Sequence, residues 1–197
     1  MTLKELGVKY HTDKATHGYL DIYADYISKT EFIINDLLEI GVRTGASLRM
    51  WAEYLGRNVS IDGVDINPDC KKHEIGNIKV FIGDQTDHKF LDTLAPQYDI
   101  IIDDGSHVNK WTVDSFNYLF PRLAKGGIYI LEDMQCSYQD LQKINVRDKW
   151  SGMTLVPAIP IQKRETIDNL LIRLSYRVDQ GQMDSVHIHK GFIVIIK

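Results

Sequence analysis

Short apolar runs alternate along the chain with stretches whose apolar residues recur every three or four positions, the pattern of parallel strands covered by helices on both faces. The runs predict strands at 36–40, 60–66, 78–82, 98–103 and 127–132. Between them the spacing predicts helices at 47–54, 89–94 and 110–123, the last stopped by Lys125-Gly126-Gly127. Residues 165–174 read as a further helix. Residues 185–189 and 192–196 then read as strands, and with only Lys190 and Gly191 between them they should pair as an antiparallel hairpin at the sheet's edge. The expectation is one α/β domain over 1–197, a mostly parallel seven-stranded sheet ending in that hairpin.

Two segments escape the alternation, 10–26 and 134–164. The second contains Trp150, Gly152, Pro157 and Pro160 without a clear period, as expected of a substrate loop or lid and equally of a surface coil.

Chemistry concentrates where strands end. Ile101-Ile-Asp103-Asp104-Gly-Ser-His107 and Tyr129-Ile-Leu-Glu132-Asp133 both run from an apolar strand into carboxylates, the first with a histidine close behind. Carboxylate oxygens suit Mg²⁺, Mn²⁺ or Ca²⁺, and a neutral imidazole beside such a cation can take the proton of a bound hydroxyl. A single acid at a strand end more often caps a helix or solvates a loop; the repetition after two strands and the Gly-Ser turn before His107 favour a site.

A second motif, Leu37-Leu-Glu39-Ile-Gly41-Val-Arg-Thr-Gly45-Ala-Ser47, joins a strand to a helix through two glycines. Glycines there permit a tight turn and let backbone N–H groups approach a ligand. The spacing is not that of the G-x-G-x-x-G fingerprint, so alone it is weak. Asp65 follows one βαβ unit later, where an acid can accept ribose hydroxyls, and Asp84 ends the third strand, where it could meet an adenine edge.

Composition adds limits. A formal charge of −4 gives no basic field for nucleic acid or an acidic membrane. No apolar run approaches the ~20 residues that span a bilayer, and the first residues lack an apolar signal core. Cys70 and Cys136 make neither a disulfide framework nor a CxxC pair, which favours a reducing cytoplasm. His11, His73 and His88 lie in polar stretches and are expected at solvent. His187 and His189 share one strand face, more often packing or edge polarity than a metal pair. Trp51 is expected in the core, and Trp111 and Trp150 nearer the pocket.

Taken together, Thr12-Asp13-Lys14, His17-Gly18-Tyr19, LEIGVRTGASLRMW, GVDI, GDQTD, IIDDGSH and LFPRLAKGGIYILEDMQ resemble a class I S-adenosylmethionine-dependent methyltransferase. Within that superfamily the pairing of DDGSH with ED is similar to the metal-dependent macrolide-sugar O-methyltransferases. The resemblance implies a Rossmann-like fold. It implies that Glu39, Gly41, Gly45 and Ser47 shape the cofactor's methionine and ribose site, with Asp65 on the ribose and Asp84 near the adenine. It implies Asp104, Glu132 and Asp133 as ligands of a divalent metal, Mg²⁺ or Mn²⁺, and His107 with Asp104 as the catalytic residues, His107 being the general base. Asp103 is expected toward the cofactor's charged end or the sheet, and Asp13, Lys14 and His17 in a segment, within 1–30, that folds over the cofactor. The chain is shorter than those enzymes, which leaves acceptor and oligomeric state open.

On this reading metal and His107 together deprotonate a hydroxyl of a small-molecule sugar acceptor, free or nucleotide-linked. An aromatic-diol methyltransferase is the nearest rival, since catechols also present two adjacent oxygens. A relative of the cephalosporin-hydroxylase branch and a non-catalytic cofactor-binding protein are further alternatives. A nucleic-acid methyltransferase is disfavoured, with no Asn-Pro-Pro-Tyr-type pocket.

Overall fold

The computed structural model describes residues 1–138 and 164–197. Within them seven strands form one sheet: β1 (Asp36–Ile40), β2 (Ser60–Asp65), β3 (Ile78–Ile82), β4 (Tyr98–Asp103), β5 (Leu123–Leu131), β6 (Ser185–His189) and β7 (Phe192–Ile196). Their order is β3-β2-β1-β4-β5-β7-β6. The first five are parallel, and β7 enters antiparallel between β5 and β6. The hairpin is therefore formed as expected, but of its two strands β6 alone lies at the sheet's edge.

Alternation along the central strands explains why both faces are covered. Leu37, Ile100, Ile102, Ile128 and Ile130 face one core, while Leu38, Ile40, Ile101, Tyr129 and Leu131 face the other. The first core lies under α1 (Leu3–Tyr10), α2 (Lys14–His17), α3 (Leu20–Ser28) and α4 (Ala46–Leu55). The second lies under α5 (His88–Leu91), α6 (Asn109–Leu119) and α7 (Arg164–Asp179). Trp51 is fully buried in the first.

Four expectations are corrected. Residues 10–26, read as outside the alternation, are mostly helical, in α2 and the first part of α3, with Leu20 and Tyr23 buried; before them Thr2 and Glu5 make a reciprocal capping box on α1, which buries Leu3 and Leu6. The helix read at 110–123 ends at Leu119, because Pro121 cannot continue it, and a 3₁₀ turn Phe120–Arg122 leads directly into β5. Gly126 and Gly127 lie inside β5 rather than ending a helix. The helix read at 165–174 runs on to Asp179.

Of the segment 134–164, Met134–Tyr138 forms a 3₁₀ turn. The loop-or-lid reading of its remainder, and Trp150, lie outside the described residues. No helix among the described residues is long and apolar enough to cross a membrane.

Candidate active site

After β1 the chain turns through Gly41 and Gly45 into α4. Gly41 has φ +97°, and a Cβ there would lie 2.1 Å from the Asp104 carbonyl oxygen, so only a bare Cα lets the β1 and β4 loops pass. Asp65, at the end of β2, holds this turn. Its Oδ2 accepts the N–H groups of Val42 and Arg43, each at 2.9 Å, and its Oδ1 accepts that of Asn67 at 2.8 Å. From above, Asp13 pairs with Arg43 at 2.9 Å, so the amino-terminal segment closes on the same loop. His73, expected at solvent, packs on Gly45 instead: a Cβ there would sit 2.7 Å from the imidazole Cγ. Burial, then the charges of Arg49 and Lys72, lowers its pKa. Ile66, exposed beside Asp65, gives this end an apolar rim.

Lys14 is the unexpected centre. Its side chain is 1% exposed, and Nζ lies 2.6 Å from Asp104 Oδ2, 2.8 Å from Glu132 Oε1 and 3.2 Å from Glu39 Oε1, one acid from each of three adjacent strand ends. Burial works to lower the Lys14 pKa, but the charges of Asp104, Glu132 and Glu39 outweigh it and hold the ammonium well above its usual range. Glu132 is pushed well up by burial, with Lys14 working against that. Glu39 is raised in the same way, by burial against the pull of Lys14. A surface lysine is the ordinary reading of Lys14 in a polar stretch, and nothing in its neighbours signals the burial.

Asp104 faces two ways. With Oδ2 on Lys14, its Oδ1 points to His107, whose Nε2 lies 3.9 Å away, and the same nitrogen is 3.8 Å from Asp133 Oδ2. His107 and Asp133 both hold left-handed backbone, φ +53° and +52°, which turns their side chains toward each other across the ends of β4 and β5. Tyr19, on the segment before α3, donates to Asp133 Oδ1 at 3.2 Å. One ligand atom from each of Asp104, His107 and Asp133 lies within 4.8 Å of the others. Around this junction stand four carboxylates: those of Glu39, Asp104 and Glu132 surround the ammonium of Lys14, and that of Asp133 lies against His107. Hard oxygen donors with surplus negative charge fit a divalent cation. The structure thus joins Asp104 and Asp133 with His107 and draws Glu132 toward Lys14 on the buried side.

The remaining expected residues have other surroundings. Asp84 is exposed, its Oδ1 accepting the N–H and hydroxyl of Thr86. His17 is exposed, its ring 5.2 Å from that of Tyr19. Asp103 points to the opposite face of the sheet. Its buried carboxylate accepts from Ser115 Oγ at 2.7 Å and Gly105 N–H at 3.3 Å, which is the sheet-side alternative of the two expected for it. Burial pushes its pKa up to about 6. The two strand histidines make packing and edge contacts, His189 bonding Tyr26 at 2.9 Å and stacking on Phe192.

Residues 38–134 match the family described as a methyltransferase domain. The mycinamycin-pathway methyltransferase MycE, solved with Mg, SAH and mycinamycin VI, superposes with a TM-score of 0.78 at 29% identity, over 99% of this chain and 54% of that one. Residues 38–134 carry a methyltransferase-family domain. Among curated relatives, an 8-demethyl-8-alpha-L-rhamnosyl tetracenomycin-C 2'-O-methyltransferase of Streptomyces olivaceus is 37% identical over 147 residues, 69% of this chain and 38% of its own length. The mycinamicin VI 2''-O-methyltransferase of Micromonospora griseorubida is 38% identical over 152 residues, covering 69% and 37% respectively. The methyltransferase domain described here thus spans well under half the length of these relatives.

Proposed function

We propose that this site performs S-adenosylmethionine-dependent, divalent-cation-dependent O-methylation of a sugar hydroxyl. The observation that carries the reading is the meeting of Asp104 and Asp133 with His107 beside a glycine turn held by Asp65. The relatives named for methylating sugar-bearing natural products support it. The acceptor is a sugar unit of a glycosylated metabolite or a bacterial surface polysaccharide, free or nucleotide-linked. A cytoplasmic setting accords with two free thiols, Cys70 and Cys136.

Asp65 receives the ribose of S-adenosylmethionine on the acceptor capacity that its three backbone bonds leave, since a carboxylate offers about four lone-pair sites. Glu39, Gly41, Gly45 and Ser47 bound the methionine end, Ile66 and Asp84 the adenine end, and the segment of Asp13, Lys14 and His17 closes over them. Mg²⁺, or Mn²⁺ in its place, would be held by Asp104 and Asp133 with Glu132 adjoining, and would supply Lewis acidity that lowers an acceptor hydroxyl's pKa. His107 takes the hydroxyl proton at Nε2, and the flanking carboxylates of Asp104 and Asp133 stabilise the imidazolium that forms. Lys14 keeps Asp104 and Glu132 at fixed separation while this happens.

The test is methyl transfer from labelled S-adenosylmethionine to methyl α-L-rhamnoside, TDP-L-rhamnose and catechol, with and without chelator. Transfer to a sugar, abolished by chelation and restored by Mg²⁺ or Mn²⁺, is the expected outcome. Full turnover in chelator removes the cation, and transfer to catechol alone moves the assignment to aromatic diols.

A further inference from the structure

Gln85 stands outside every role assigned above, yet its side chain is buried and reaches from the end of β3 to the loop that carries His107. Its Oε1 accepts the backbone N–H of Ser106 at 2.8 Å. On its other side Nε2 donates to Ser115 Oγ at 3.1 Å and faces both Asp103 oxygens at 3.4 Å. Ser115 in turn donates to Asp103 at 2.7 Å, and Asp103 accepts the N–H of Gly105. The loop residues Gly105 and Ser106 are thus tied from beneath through their amides. A Cβ on Gly105 would fall 2.5 Å from Gln85 Oε1 and 2.8 Å from Ile40 Cγ2, so this glycine is the residue that admits the amide.

The next residue is His107, whose φ of +53° is uncommon for a side chain of that size. Such a conformation costs about 1–3 kcal/mol and persists only where the surroundings over-determine it. Within its own turn the loop supplies a weak restraint, Ser106 Oγ accepting the Val108 N–H at 3.3 Å. The short bond from Gln85 to the Ser106 amide is a restraint from outside, one peptide away from the strained residue.

We propose that Gln85 is a positioning residue for His107, fixing through the Ser106 amide the direction in which the imidazole meets Asp104, Asp133 and the acceptor. Asp103 and Ser115 orient the Gln85 amide, so that its oxygen and not its nitrogen faces Ser106. The inference rests on His107 being the base. It explains why Asp103, next to Asp104 in sequence, serves the site from the opposite face of the sheet.

The test uses the full chain. Gln85→Met keeps the length and removes both bonds. It is expected to lower kcat by roughly 10–100-fold, the scale on which a misplacement of about 1 Å costs rate, while acceptor KM and S-adenosylhomocysteine affinity stay within about twofold. Amide hydrogen exchange, which needs no acceptor, should show Ser106 losing protection. The double variant Gln85→Glu with Asp103→Asn exchanges amide and carboxylate between the two positions, leaves an oxygen facing Ser106 and should restore kcat; it also serves if Gln85→Met does not fold. Parental kcat in a folded Gln85→Met variant overturns the inference. So does a double variant that binds S-adenosylhomocysteine normally and protects Ser106, yet turns over no faster than Gln85→Met. Parental turnover in His107→Ala instead defeats the base assignment, with the Ser106 exchange still reporting whether Gln85 holds the loop.

Discussion

Replacing Lys14 by methionine removes one buried ammonium and leaves three carboxylates, Glu39, Asp104 and Glu132, without the cation that lies within 3.2 Å of each. Breaking a buried ion pair from one side costs about 3–5 kcal/mol. In a domain of this size each kcal/mol moves Tm by about 2–4 °C, so the apo variant should melt roughly 6–20 °C below the parent. The loss should grow with pH. Burial already raises the Glu39 and Glu132 pKa values against the pull of Lys14, and without Lys14 they rise further. At low pH these acids protonate and the penalty shrinks; as pH rises through their elevated values they must ionise unpaired and the penalty is full. Calorimetric melts in chelator at pH 5 and pH 8 measure both effects. Added Mg²⁺ should recover more stability in the variant than in the parent, since carboxylates that have lost the Lys14 charge bind a cation more tightly, and binding at about 100 times Kd is worth about 2.7 kcal/mol. Equal melting temperatures of variant and parent at pH 8 would refute the reasoning, showing that the carboxylates do not depend on this lysine.

Asp65→Ala should weaken S-adenosylhomocysteine binding by calorimetry and also lower the apo Tm, because the carboxylate accepts three backbone N–H groups of the turn; an unchanged apo melt would show that the turn holds itself. Asp62 is buried on β2, accepts the Tyr98 hydroxyl at 2.8 Å on Oδ2, and among the described residues leaves Oδ1 without a hydrogen bond. Burial raises its pKa, so ionising it disfavours the folded state; Asp62→Asn should raise Tm at pH 8 and give no gain below about pH 4, where the acid is protonated folded and unfolded alike. His107→Ala should keep S-adenosylhomocysteine affinity but lower turnover by roughly 10²–10⁴-fold, the usual contribution of a positioned base, and parental turnover would leave the proton to another acceptor.

The parallel strands were legible because fully buried strands read as apolar runs, and each run began and ended where the structure has it to within a residue, except at the start of β5. There Gly126 and Gly127 looked like a helix stop, whereas Pro121 had already broken the helix and β5 begins at Leu123. Strand-end acids were legible for the same reason, a run of Ile or Leu followed by a carboxylate. Which face each acid takes was less so. Asp103 and Asp104 are neighbours, yet one serves the α6 side and the other the Lys14 side, a consequence of strand alternation continuing to the last residue. The amino-terminal helices were missed because their buried stripe is carried by few apolar residues among lysines, histidines and threonines. Lys14 was placed in the cofactor-covering segment, but a lysine's burial follows from the carboxylates that surround it, and those come from strands far along the chain. Gln85 carried no signal of its own, since its partners are a backbone amide and two side chains from α6 and β4.

Mn²⁺ titration followed by electron paramagnetic resonance tests most directly whether the ends of β4 and β5 form a cation site with a base beside it. The parent should bind one Mn²⁺, displaceable by Mg²⁺. Asp104→Asn and Asp133→Asn should each weaken it at least tenfold, while His107→Ala binds it as the parent does. Parental Mn²⁺ affinity in both acid variants, or loss of the ion in His107→Ala, would contradict the assignment, the latter making His107 a ligand rather than the base.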